Sequence, residues 1–224
     1  MAIGIAALMG FQLPNNFKSP YQSLNLTEFW HRWHITLSQW FRDYVYIPLG
    51  GNRKGELKTY RNTFITMIVA GLWHGASGMF VLWGILHGIG LAVHKFARNR
   101  GLNKVPDTIY VKIFCWTITF AYVSVAWIFF RSYDVHTAFS IIGKIFTDLH
   151  FVDFQNFINA RLLWIMLLTV SLELHSIRQN DYKWLRQKFI SLPWLAKLAI
   201  FLFVLQLVIN LSQNNIQPFI YTRF

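Results

Sequence analysis

The sequence predicts an all-α fold: a polytopic integral membrane helical bundle that holds a broken or re-entrant segment and an amphipathic helix. Three observations carry this. Of the 224 residues, 54% are hydrophobic and only 13% are charged, against about 25% charged in soluble globular chains. Long apolar runs suited to membrane helices recur along the chain. The 21 Lys and Arg, set against 9 Asp and Glu, fall mainly between those runs, where the positive-inside rule puts them in cytoplasmic loops. A formal charge of +12 would point to nucleic acid in a soluble protein. In this arrangement it reports topology, so the expected partner is the lipid bilayer and not nucleic acid. The single cysteine, Cys115, sits in an apolar run, which excludes an internal disulfide and a cysteine-based zinc site. With no internal repeat, low-complexity tract or soluble segment, residues 1–224 read as one membrane domain.

Residues 1–13 are apolar without a basic leader, which makes a poor signal peptide. They are too short for the roughly 20 residues of a span, and read as the end of a helix that begins upstream. Pro14 to Pro20 is a polar turn segment with Asn15, Asn16 and Lys18. Asn25, three residues before Glu28, marks a helix start, and a helix over 27–44 follows. One face carries Phe29, Trp33, Leu37, Trp40, Phe41 and Tyr44; the other carries Thr27, His31, His34, Ser38 and Arg42. Such a helix suits a membrane interface or the wall of a polar cavity. Pro48, Gly50 and Gly51 end it.

Asn52–Arg61 is a short basic loop with Arg53, Lys54, Lys58 and Arg61. The apolar run 62–93 is too short for two full spans and longer than one needs. A half-helix, a break and a longer helix fit it. The break falls at Gly71–Gly78, which gathers three glycines, a serine and His74 and places His74 well inside the membrane. Gly84 and Gly88 on the second limb form a GxxxG pair suited to close packing. Spans are expected near 113–130, 162–174 and 198–211. The basic loops 52–61, 94–112 and 176–197 are assigned to the cytoplasm, and the loop 131–161 and the tail to the outside. Both ends of 62–93 then face the same side, as a segment that enters and returns requires.

Eight histidines are present, of which His31, His34, His74 and His87 fall in the amphipathic helix and the broken segment. His31 and His34 form an i,i+3 pair, but without HExxH, a cysteine cluster or nearby paired carboxylates no metal site is expected. A G-x-S-x-G elbow, paired carboxylates for glycoside hydrolysis and phosphate-binding glycine loops are likewise missing from the sequence. An imidazole in a buried break remains as the candidate centre. It can serve as a general base that takes the proton of an attacking hydroxyl, or as a hydrogen-bonded packing residue of a transporter or structural bundle. The residues alone leave both readings open.

The run Phe29-Trp30-His31-Arg32-Trp33-His34-Ile35-Thr36-Leu37-Ser38, followed by Trp40-Phe41-Arg42-Asp43-Tyr44-Val45-Tyr46-Ile47-Pro48-Leu49-Gly50-Gly51-Asn52-Arg53, resembles the membrane-bound O-acyltransferase (MBOAT) family. Gly71-Leu72-Trp73-His74-Gly75-Ala76, Leu82-Trp83-Gly84-Ile85-Leu86-His87-Gly88 and the aromatic tail Phe219–Phe224 continue the likeness. It is strongest to the alginate O-acetyltransferase branch, with the teichoic acid D-alanyl transferases as a sister branch, and most specific over residues 1–95. The resemblance implies that His74 is the essential histidine and His34 the second active-site histidine. A cytoplasmic donor, acetyl-CoA, and an outer hydroxyl acceptor would meet in a tunnel through a bacterial inner membrane. The acceptor would be a polysaccharide, or a periplasmic acetyltransferase partner that passes the acetyl group on. Arg53 and Lys54 lie on the side from which the coenzyme A phosphates would arrive; a positive-inside loop also accounts for them. Family members carry further N-terminal helices that would form part of the tunnel wall, so the chain reads as a C-terminal portion. An inactive remnant, or a non-catalytic membrane subunit or transporter, is the alternative.

Overall fold

The computed structural model describes residues 2–102, 106–148, 151–176 and 179–211. His150 and the tail Phe219–Phe224 lie outside the described residues. The chain divides into two compact units, Met1–Asp153 and Phe154–Phe224.

In the first unit a short α1 (Ala2–Leu8) leads to a 3₁₀ turn (Pro20–Gln22) and α2 (Leu26–Arg32). Asn25 caps α2 as its sequence predicts, its Oδ1 accepting from Glu28 N–H at 2.9 Å. The Glu28 carboxylate reaches back to Leu24 N–H at 2.8 Å and also pairs with Arg32. One amide donor of the first turn, Glu28 N–H, is thereby satisfied, together with the Leu24 N–H that precedes the cap.

The single helix expected over 27–44 is interrupted. Trp33 is extended and His34 is left-handed, at φ 42°. Helix α3 (Ile35–Phe41) begins after them and passes into a π-helical stretch, Arg42–Tyr46. The physical reason lies earlier in the chain. The segment around Asn16 crosses the break, with Asn16 O accepting from Ile35 N–H at 2.9 Å and Asn16 Oδ1 accepting from Thr36 N–H at 3.0 Å. Lys18 N–H donates to Arg32 O at 2.9 Å. These are tertiary partners for groups that a continuous helix would have paired internally, and local pattern reading does not see them.

Helices α4 (Glu56–Trp73) and α5 (Gly78–Asn99) form an antiparallel hairpin. A Cβ at Gly71 would strike the Phe80 carbonyl oxygen, and one at Gly84 the Met67 carbonyl oxygen. These glycines therefore set the close approach of the two backbones. The first limb is longer than the expected half-helix, since α4 starts at Glu56 inside the stretch read as a loop. Its 18 residues rise about 27 Å. Asn62, fully buried, donates from Nδ2 to Leu49 O and Gly51 O and ties the preceding glycine turn to α4.

Helix α6 (Ile109–Arg131) packs along α5, and the Tyr122 hydroxyl donates to Leu86 O. Leu26, Phe29 and Val123 form one core cluster where α2 meets α5 and α6. Met79, Phe129 and Ala138 form a second, where α7 (Val135–Thr147) closes on α6. Asp134 caps α7 through Thr137 N–H at 2.7 Å.

The second unit holds most of α8 (Phe151–Ser176), kinked at Arg161, then α9 (Gln179–Ser191) and α10 (Trp194–Leu211). The stretches 131–161 and 176–197, read as loops, are thus largely helical. Helix α9 is polar and α7 is amphipathic, and neither presents the unbroken apolar run that marks a span. Among the described residues α5 and α6 are long and apolar enough to cross a membrane, and a third span is counted if the pair Lys183–Ser191 and Trp194–Ile209, bent by 114°, acts as one. The protein is an all-α membrane bundle.

Candidate active site

His74 closes the last turn of α4. Its N–H donates to Gly71 O at 3.0 Å, and Gly75 N–H donates to Leu72 O at 3.1 Å. Gly75 then turns the chain at φ 145°, and Ser77 caps α5 by accepting from Met79 N–H at 3.2 Å. The broken segment is therefore the four-residue tip of a hairpin. The His74 ring sits among aromatic rings: Trp73 at 4.9 Å, Phe130 at 5.0 Å and Trp83 at 5.2 Å between centroids. Phe130 belongs to the last turn of α6, so His74 stands level with one end of α6 and not with its middle.

His34 reaches the same wall from the break between α2 and α3. Its ring lies 6.5 Å from Trp73 and 5.8 Å from Phe17. Trp73 thus lies beside both imidazoles. Burial pushes the His34 imidazole below its ordinary value, which favours the neutral ring at neutral pH. Its buried Nδ1 has no hydrogen-bond partner among the described residues.

His31 does not share this position. With Thr27, Ser38 and Arg42 it lines a separate cavity of about 470 Å³ between α2–α3 and the α4–α5 hairpin. Four of the five residues read as one polar face meet there; His34 is diverted by its left-handed backbone. Met67, Ala70 and Leu91 supply apolar lining, and Arg42, Lys95 and Arg98 supply positive charge. Arg42 is paired with Asp43 at 2.7 Å, whereas Lys95 and Arg98 have no carboxylate partner among the described residues. Arg53 and Lys54 are exposed on the turn before α4 and do not line this cavity. Among the described residues no three His, Cys, Asp or Glu side chains gather as a metal site would need.

Two further residues, Trp83 and His87, are named in the sequence reading without a role of their own. Both are almost completely buried, at 1% and 0% exposure. His87 is enclosed by Phe29, Trp30 and Trp83, with Trp30 Nε1–H donating to its Nδ1 at 3.3 Å. The available signal was their i,i+4 spacing beside Gly84 and Gly88, the glycines packed on α4.

The protein is thus a helical membrane protein in which two imidazoles converge on one aromatic wall. The description "membrane-bound O-acyltransferase family" matches residues 1–130, more than half of the chain. The chain belongs to the MBOAT family. It is 49% identical to the Pseudomonas putida protein named "Probable alginate O-acetylase AlgI", over 66% of this chain and 29% of that protein. It is 47% identical to the peptidoglycan O-acetyltransferase of Helicobacter pylori, over 63% of this chain and 27% of the relative. With an Azotobacter vinelandii protein of the same name as the first it shares 34% identity across 100% of this chain and 50% of the relative. The chain therefore spans half or less of the length of these relatives.

Proposed function

We propose that the protein is an O-acyltransferase of a bacterial inner membrane. It transfers acetyl groups from cytoplasmic acetyl-CoA to hydroxyls of an extracellular polysaccharide, directly or through a periplasmic acetyltransferase partner. The observation that carries the proposal is the convergence of His74 and His34 on Trp73. The relatives named for alginate and peptidoglycan acetylation support a glycan acceptor.

In this reading neutral His74 takes the proton of the acceptor hydroxyl as its oxygen attacks the thioester carbonyl carbon. The tetrahedral intermediate collapses with cleavage of the C–S bond, and the departing thiolate takes the proton from His74. His34 orients the donor or answers the charge that develops beside it. The cavity below α2–α3 suits the donor. Its apolar lining matches the pantetheine arm, and Lys95, Arg98 and Arg42 match the phosphates. Arg53 and Lys54 are left to the topological role of a basic loop.

The test is acetyl transfer from labelled acetyl-CoA to the polymer fraction in membranes of the cell that makes the protein. His74→Ala is expected to lower the rate by about 10²- to 10⁴-fold, the usual range for a general base. Full transfer by that variant, with the protein present at normal level, would remove the proposal.

A further inference from the structure

Trp83 and His87 lie one turn apart on α5, on the face packed against α2, α4 and α6. Trp83 Nε1 and His87 Nε2 are buried, and neither has a hydrogen-bond partner among the described residues. Indole nitrogen is a donor only. His87 is fixed as a donor too: its Nδ1 accepts from Trp30, so the neutral ring carries its proton on Nε2. With Trp127 Nε1, which is likewise buried and stacks on Trp83, three buried N–H groups therefore stand in one aromatic cluster with no acceptor among the described residues. Unpaired buried donors are costly and rare, and when they persist beside a reactive group an arriving acceptor accounts for them. Of these, Trp83 is the one whose ring meets His74, edge-on at 5.2 Å and 89°. His87 packs against Trp83 at 4.7 Å and holds Trp30, which lines the cationic cavity.

We propose that the Trp83 indole N–H binds the carbonyl oxygen of the acyl group during transfer, and that His87 is the positioning residue that holds Trp83 and Trp30 on either side of it. The inference rests on the acyl-transfer reading. As the acceptor oxygen bonds to the carbonyl carbon, the C=O π pair moves onto the carbonyl oxygen, and Trp83 N–H donates to that anion. The pair returns as the C–S bond breaks, and the thiolate leaves with the proton held by His74. A donor fixed in place before the charge forms acts on the transition state more than on the bound thioester. Its loss is therefore read in kcat rather than in KM.

The deciding variant replaces Trp83 by β-(3-benzothienyl)alanine, which keeps the bicyclic shape and substitutes sulfur for N–H. Transfer from labelled acetyl-CoA to polymer is measured in membranes of the cell that makes the protein, beside Trp83→Phe. The expected result is a kcat about 10²-fold lower, the scale of one oxyanion donor, with KM for acetyl-CoA changed by less than about threefold. Wild-type kcat in the isosteric variant overturns the proposal, including the case in which a buried water alone satisfies this N–H. For His87, Asn keeps an acceptor oxygen where Nδ1 stands and is expected to preserve transfer to within about fivefold, whereas Leu loses it; equal losses in the two overturn the positioning role. His74→Ala separates the two levels: if it retains transfer the acyl-transfer reading fails, and if it alone abolishes transfer only the Trp83 assignment fails.

Discussion

Asn16 supplies the hydrogen-bond acceptors at the point where the helix breaks beside His34. Its main-chain oxygen takes Ile35 N–H, and its side-chain oxygen takes both Thr36 N–H and the Thr36 hydroxyl, the latter at 2.6 Å. This brace, made from the polar turn between α1 and α2, keeps the His34 ring on the Trp73 side. Asn16→Ala should therefore unseat His34 as well as destabilise the fold. Removing one partner from a part-buried cluster of this kind costs about 1–3 kcal/mol. The expected outcome is a lower unfolding temperature in detergent together with loss of transfer. Unchanged stability would show that the brace does not hold the break.

His34 itself separates backbone strain from side-chain chemistry. A non-glycine residue at φ 42° costs about 1–2 kcal/mol, a cost that glycine escapes. His34→Gly should thus be more stable than His34→Ala by about 1 kcal/mol, in denaturant titrations of the two purified variants. Neither should regain transfer if the imidazole is what the site needs. A strained position kept for a functional ring is a familiar relation between backbone and site.

The hairpin glycines divide into packed and open positions. Gly84→Ala drives a methyl group into the Met67 carbonyl oxygen, and Gly71→Ala drives one into the Phe80 carbonyl oxygen. Each should destabilise by about 1–3 kcal/mol or more, as overpacking does. Gly143, within α7, has nothing near a Cβ, and Gly143→Ala should stabilise by about 0.5–1 kcal/mol through helix propensity. Thermal unfolding of the three variants checks the contrast. A neutral Gly84→Ala would mean that α4 and α5 are not in close backbone contact.

How far these features were legible before the structure depends on the range of the interactions that make them. The Asn25 cap, the Gly84/Gly88 packing face, the tip at Gly71–Gly78 and the apolar α6 are set by residues close in sequence, and pattern reading reached them. The break at His34 was not legible, because its acceptors come from Asn16 and a two-faced aromatic pattern continues across it undisturbed. Helix α4 was read too short, because its first turn, with Glu56 and Lys58, is polar while still helical. Helix α9 was read as a loop for the same reason, since its charges hide it from a search for apolar runs. Of the site, the glycine-rich break in the apolar run singled out His74 from the residues alone, and the family likeness added His34. Trp83 and His87 stayed in the background because burial and an unpaired nitrogen become visible only when the surrounding helices are in place.

The basic residues offer the last and sharpest comparison, between a cluster on the turn before α4 and one on α5 at the cavity. Arg53 and Lys54 are exposed and line no part of the cavity, while Lys95 and Arg98 line it without a carboxylate partner. If the cavity receives the donor phosphates, charge reversal at Arg98 places like charge beside them. Arg98→Glu should raise KM for acetyl-CoA by about tenfold or more, corresponding to about 1.4 kcal/mol, with kcat nearly unchanged because the interaction is made equally before and during transfer. The effect should shrink at high salt, since Arg98 is exposed at its rim and screening acts within about 10 Å at 0.1 M ionic strength. Arg53→Glu changes the same formal charge at a distance from the cavity and should leave KM nearly unaltered while altering the charge bias of the loop. Initial-rate measurements over a range of acetyl-CoA concentrations distinguish the two. A KM increase at Arg53 without one at Arg98 would return the phosphates to the exposed turn and leave the cavity between α2–α3 and the hairpin without this ligand.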